Sequence, residues 1–403
     1  MDKVERQYET YPYPARDPGE EASRLITGSP SDPVEIDHYL FGGKRDWSEP
    51  FRALVAGGGT GDGLIMLAQR LSDMGCPAEI TYLDLSEASR AIAEARAARR
   101  GLTGIRFLTE TLLEAPRYGP FDYIDCCGVL HHLPDPDAGF RALAEALAPE
   151  GGIGLMVYAP LGRAGVYPLQ QAFGTLFAED APERQVALAR AALDRLAPTH
   201  PFARNPLVGD HRDGEAGLYD LLLHARDRPY SVEELDAALS QAGLAGVSYV
   251  ERGRYEPGRY LPSEPAFKTR LDALEPLARA GLAERLAGNM KTHILYASHA
   301  VRQPEAKAHP DAVPHLHRVD PGALARQIQA KGRFSLKAEG LDYTVTLPKA
   351  AAPILAGIDG RRPLGELVRA AGRDWLTAMG HWGPAARELI GFNMLHYSRG
   401  GRR

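Results

Sequence analysis

Cysteine is scarce: only three occur in 403 residues, at 76, 126 and 127. The adjacent pair Cys126-Cys127 lies in an apolar run where no ordinary disulfide framework forms, so a cytoplasmic protein is expected. Also missing is any uninterrupted apolar run of the ~18 residues that a membrane span needs. The opening Met1-Asp2-Lys3-Val4-Glu5-Arg6 has no apolar signal core, and no membrane partner is expected. Excess positive charge is absent too. The formal net charge of -5 argues against a nonspecific nucleic-acid binder. No internal repeat or low-complexity tract is present. What remains is 44% hydrophobic and 25% charged residues, an ordinary globular composition in a length comfortable for two domains.

The chain is organised around Leu54-Val55-Ala56-Gly57-Gly58-Gly59-Thr60-Gly61-Asp62-Gly63, an apolar run passing through glycines into the helical pattern Leu64-Ile65-Met66-Leu67-Ala68. It reads as a buried strand, a tight turn and a helix N-terminus. Glycine at 57, 59 and 61 removes each Cβ where a ligand could lie against the backbone, and the free amides of the helix start favour an electron-rich group. Asp62 stands where the dinucleotide fingerprint needs its third glycine, which disfavours a nicotinamide dehydrogenase. Downstream, Ile80-Thr81-Tyr82-Leu83 closes on Asp84, roughly 20 residues after the glycines, the position of a ribose-binding carboxylate. Ser86 is the better N-cap for the next helix, which leaves Asp84, with Leu85 beside it, for a ligand.

Between 51 and 160, apolar runs at 52–57, 79–84, 104–109, 121–129 and 152–158 alternate with amphipathic stretches at 61–74, 87–100 and 136–148, as a parallel sheet requires. The glycines with Asp84 resemble motif I of the class I S-adenosylmethionine-dependent methyltransferases. Phe121 to Pro136, a strand ending at Gly128 and a loop bearing His131 and His132, resembles their motif IV. The resemblance resumes over 231–300, where Lys291 to Ser298 is similar to the antiparallel seventh strand of that family. It implies an α/β fold with a doubly wound, seven-stranded, mostly parallel sheet, and S-adenosyl-L-methionine as cofactor with S-adenosyl-L-homocysteine as product. Gly57, Gly59, Thr60, Gly61, Asp84, Leu85, Thr111 and Gly128 are the implied cofactor-binding positions. Two positions depart from the family: Val55 stands where many members carry the acid that leads motif I, and Thr111 where the acid beside the adenine belongs.

Residues 1–48 form an N-terminal arm in which Tyr8 and Tyr11-Pro12-Tyr13-Pro14 make a stiff, ring-bearing segment suited to covering a pocket. By resemblance, such an arm closes over the methionine end of the cofactor. That places Tyr8, Tyr11 or Tyr13 near the sulfonium, a cation that a π face attracts. Tyr11 is assigned to the cofactor, Tyr13 and His38 to the substrate. Within the methyltransferase domain, 49–302, residues 161–230 interrupt the alternation and read as a helical lid over the active site, with helices near 167–178 and 182–196. Asp220 and His224 are four apart on one helical face, either a catalytic or substrate-binding pair or an ion pair anchoring the lid. His224, His131 and Tyr158, the last closing the fifth strand, are the catalytic candidates; Asp220 and Tyr230 join the substrate set. An imidazole of the 131–132 pair suits a general base near neutral pH. As metal ligands the two lack a third in their loop, so no metal is expected.

A linker at 302–317 leads to a module at 318–403. A helix at 321–331, a hairpin and helices near 363–371 and 383–395 suggest a winged-helix-like fold. Basic residues cluster there only at 361–362 and 399–403, which favours protein docking or a homodimer over DNA. The expected activity is methyl transfer to a small molecule or a protein side chain under the lid. An RNA methyltransferase or a noncatalytic S-adenosylmethionine-binding regulator are the alternatives.

Overall fold

Strands buried on both faces show continuous apolar runs, and those runs build the sheet. In this computed structural model, which describes residues 3–299 and 304–399, they become β1 (Phe51–Ala56), β2 (Ala78–Asp84), β3 (Ile105–Thr109), β4 (Phe121–Cys127) and β5 (Leu147–Tyr158). With β6 (Leu244–Tyr249) and β7 (Thr292–His299) they form one seven-stranded sheet in the order β3-β2-β1-β4-β5-β7-β6. β1 to β5 pair in parallel, and β7 runs antiparallel between β5 and β6. Along β1, Leu54 and Ala56 enter the core on one face while Ala53 and Val55 enter the other. β5 begins earlier than its apolar pattern: Phe121 pairs with Leu147 but Tyr123 with Gly152, so the four residues 148–151 stand opposite Asp122 alone and the register shifts.

The helices start where capping chemistry places them. Ser86 Oγ accepts the Ser89 amide to open Glu87–Arg99, and Ser231 with Glu234 completes a capping box on Val232–Gln241. The lid helices Val166–Phe177, Pro182–Leu193 and Gly214–Leu222 close around a small core of their own, built on Phe173, Phe177, Val186 and Leu221.

The expected linker is in part a strand. β8 (Ala312–Leu316) pairs antiparallel with β11 (Leu395–Arg399), a two-stranded edge where Pro314 loses no ladder bond in a larger sheet. The hairpin of β9 (Arg333–Ala338) and β10 (Leu341–Thr346) lies between the helix Pro321–Lys331 and the later helices. The last helix starts at Trp375, well before 383, because Asp374 caps it and the run continues through Pro384. Arg402 and Arg403 of the basic cluster lie outside the described residues. The module rests on the helix Pro33–Leu40: Asn393 Nδ2 donates to Glu35 and accepts, through Oδ1, the Tyr39 hydroxyl.

Candidate active site

The carboxyl ends of β1, β2, β4 and β5 open into a cavity of about 430 Å³, covered by Tyr8, Tyr13 and Pro14 of the arm and by Asp220 and Arg226 of the lid. At its glycine end, Gly57 has φ of +67° and a Cβ there would lie 2.4 Å from Val129 Cγ2, so its bareness accommodates a packed valine. Gly61 likewise faces Ala93. All three glycines line the cavity, and at Gly59 a Cβ would meet nothing but the Tyr13 carbonyl oxygen at 3.2 Å. The Gly59 amide donates to Asp84 Oδ2 at 2.7 Å and the Ser86 amide to Oδ1 at 2.9 Å. Burial pushes the Asp84 carboxyl up in pKa while these amides pull it down. Leu85, Thr111 and Gly128 line the same cavity, as does Glu110, which accepts the Tyr118 hydroxyl at 2.7 Å. An amide-buttressed carboxylate, an apolar wall and a bare backbone fit an adenosyl group with its ribose on Asp84.

At the other end, one hydroxyl joins the arm to the lid. Tyr8 Oη donates to Asp220 Oδ1 at 3.1 Å and lies 3.2 Å from His224 Nε2, while Tyr158 Oη donates to Asp220 Oδ2 at 3.3 Å. The peptide of Arg226 fixes the protons. Its N–H donates to His224 Nδ1, at 3.1 Å, so that nitrogen holds a lone pair and Nε2 carries the hydrogen. Its carbonyl oxygen accepts from His132 Nδ1 at 2.7 Å, so that nitrogen carries a hydrogen. The two rings stack with centroids 3.7 Å apart. His224 is driven well below the usual imidazole pKa, first by burial and then by His132. Burial also raises Asp220. Beneath them, the Arg163 guanidinium sits 3.6 Å over the Tyr158 ring and pairs with Asp227 at 3.1 Å.

Several sequence assignments fall elsewhere. Tyr11 is not on the cavity: its hydroxyl reaches Glu215 at 3.2 Å and its ring lies on Tyr219, because it packs against the core of the lid. Thr60 is buried and donates to the Pro14 carbonyl, tying down the arm rather than lining the cavity. His38 is buried against the C-terminal module, accepting the Tyr397 amide at Nδ1; burial pushes it down to about 3. Tyr230 is a core residue, edge-on to Phe140. His131 packs behind Tyr158 with ring centroids 4.1 Å apart, outside the cavity wall. Asp220 and His224 do share a face, yet the Tyr8 hydroxyl stands between them, so no direct ion pair forms. The lid does bring further metal-type ligands to these histidines: Asp227 to the His131–His132 pair, and Asp220 with His224 to His132 alone. In the first, Arg163 already neutralises Asp227; in the second, His224 Nε2 carries hydrogen. Among the described residues neither ring nitrogen of His131 has a hydrogen-bond partner.

Tyr8, named with Tyr11 and Tyr13 for the sulfonium end but given no site role of its own, enters the cavity from the helix Lys3–Thr10, and Tyr13 lines it too. His132 differs from His131 only by the direction its ring takes from the turn Leu130–His132. Ser31 and Asp125, both on the cavity, carried no sequence signal beyond an acid inside an apolar strand.

Residues 54–153 match the family model described as a methyltransferase domain. An uncharacterized protein of a Synechococcus strain is 32% identical over 243 residues, 58% of this chain and 57% of that one. A ubiquinone biosynthesis O-methyltransferase of Xanthomonas axonopodis pv. citri is 34% identical over 104 residues, 26% of this chain and 42% of that one. The chain thus spans about half the length of the curated relatives it matches. The structure of PKMT2 from Rickettsia typhi superposes with a TM-score of 0.64 at 15% identity, covering 93% of this chain and 76% of that one, and has also been solved in complex with AdoHcy. The shared fold is that of the class I methyltransferases.

Proposed function

We propose, for a chain that carries a methyltransferase domain at 54–153 on the class I fold, that it transfers the methyl group of S-adenosylmethionine to a small molecule or a protein side chain held beneath the lid. The observation that carries this reading is that one cavity joins Gly59 and Asp84 at one end to Tyr8, Asp220 and His132 at the other. When bound, the cofactor supplies a methyl group already activated on a sulfonium, so most of the rate comes from placing the acceptor in line with it. Asp84 accepts ribose hydroxyls with the lone pairs its backbone amide partners leave open. The Tyr8 and Tyr13 rings offer π faces to positive charge.

An acceptor that must lose a proton meets His132 Nε2. His224 supports this from behind. It donates from Nε2 to Tyr8, which donates to Asp220, so arm and lid close into one fixed wall. Tyr158 completes that wall through the second Asp220 oxygen, and Arg163 holds its ring.

The test is transfer of labelled methyl from the cofactor into a lysate of cells lacking this protein, fractionated into protein, RNA and small molecules. Label in the protein or small-molecule fraction, lost on Asp84→Ala, supports the reading. Label confined to RNA would move the acceptor to nucleic acid. Binding of S-adenosylhomocysteine with no label in any fraction would mark a noncatalytic binder.

A further inference from the structure

The acid that heads motif I elsewhere is missing, yet an acid stands next to the vacancy it leaves. β1 and β4 pair so that Val55 is the direct neighbour of Asp125, and both line the cavity. Asp125 is only 2% exposed. Ser31 Oγ donates to its Oδ2 at 2.5 Å, and the Cys127 thiol is its other hydrogen-bond partner. Among the described residues no basic side chain pairs with it. A buried carboxylate without a cation is costly, and burial accordingly lifts its pKa. The chain also clears space before it. At Gly63, in the first turn of the helix after the glycines, a Cβ would lie 3.0 Å from Ser31 Oγ and 3.2 Å from Asp125 Oδ2. A small cationic donor is what this wall lacks.

We propose that Asp125, oriented by Ser31, binds the α-ammonium at the amino-acid end of the cofactor, so that the carboxylate absent at Val55 is supplied from the neighbouring strand. The assignment rests on the methyltransferase reading above. Asp125 lies on the glycine-turn side of the cavity, whereas the acceptor-facing carboxylate is Asp220 on the lid. The ammonium it meets is therefore the cofactor's and not that of an amine acceptor.

The experiment is calorimetry on the intact protein with two ligands and no acceptor. S-adenosylhomocysteine carries the α-ammonium; 5′-methylthioadenosine lacks the amino-acid end altogether. Asp125→Asn is expected to weaken S-adenosylhomocysteine by about tenfold to a hundredfold, the range of a charge-assisted hydrogen bond. Methylthioadenosine should stay within about twofold of wild type, since any change there would report the adenosyl contacts. Ser31→Ala, which keeps the charge but frees the carboxylate, should show a smaller loss in the same direction and guards against a fold defect in the first variant. Equal losses for both ligands, or none for either, overturn the assignment. A wild-type protein that binds neither ligand overturns the methyltransferase reading and this assignment together, which is a different result.

Discussion

Tyr8→Phe deletes a single oxygen at the junction of arm and lid. That oxygen donates to Asp220 at 3.1 Å and lies 3.2 Å from His224 Nε2. A bond to a charged group contributes about 1.5–3 kcal/mol and a neutral one about 0.5–1.5, so the pair is worth about 2–4.5 kcal/mol at most. The arm stays attached, because Arg16 still pairs with Asp62 at 2.6 Å and Thr60 still holds the Pro14 carbonyl. The loss is then confined to the acceptor end. We expect turnover to fall about tenfold to a hundredfold, equivalent to about 1.4–2.8 kcal/mol. Affinity for S-adenosylhomocysteine should change less than about threefold, since Gly59 and Asp84, proposed to hold the adenosyl group, are untouched. Turnover is read by labelled methyl transfer into the accepting fraction, affinity by calorimetry. Tyr11→Phe is the control: it loses only a rim contact to Glu215 and should change turnover less than about twofold. Full turnover by Tyr8→Phe, or equal losses in the two variants, would refute the closed-wall reading.

Gly57→Ala forces an L residue to φ of +67° and drives its Cβ into Val129; denaturant unfolding should show a loss of about 2–5 kcal/mol, part of it recovered in the double variant with Val129→Ala. His38→Ala should leave cofactor affinity unchanged while lowering unfolding stability by about 1–3 kcal/mol, because the Tyr397 amide and not a ligand is its partner. Burial raises Glu35 from 4.5 to about 7, so the folded protein binds the proton more tightly than the unfolded chain. That stability is present below pH 4.5 and is lost as pH rises through 7, about 3 kcal/mol in all. Buried His38 and His396, whose pKa values are lowered, oppose it over part of the range. The carboxyl's share is therefore the difference between wild type and Glu35→Gln: the variant should gain relative stability from pH 4.5 to 8, and a constant difference would contradict the shift.

The middle of the sheet was legible because β1 and β4 are buried on both faces, and an apolar run such as Leu54 to Ala56 announces that directly. Where burial was one-sided or the register slipped, the pattern failed. β8 hid in a stretch containing Pro314 and His315, and the start of β5 hid behind a bulge. Asp84 was readable from spacing along the chain. That Tyr8 faces the cavity while Tyr11 does not was hidden, since it depends on how the arm meets the lid. His38 was drawn into the site by residue type, and Tyr230 by its nearness in the chain to Asp220 and His224. Their contacts come from elements far along the chain, Tyr397 for one and Phe140 for the other.

The peptide unit at position 226 decides which nitrogen of each neighbouring imidazole bears hydrogen. Every amino acid except proline brings the same amide and carbonyl there, so a mutational scan of this position would report on the arginine side chain and stay blind to that control. Exchanging the amide for an ester by semisynthesis would delete the donor alone. His224 would then be at liberty to exchange tautomers while its ring, its stacking partner and the carbonyl that orients His132 all remain in place.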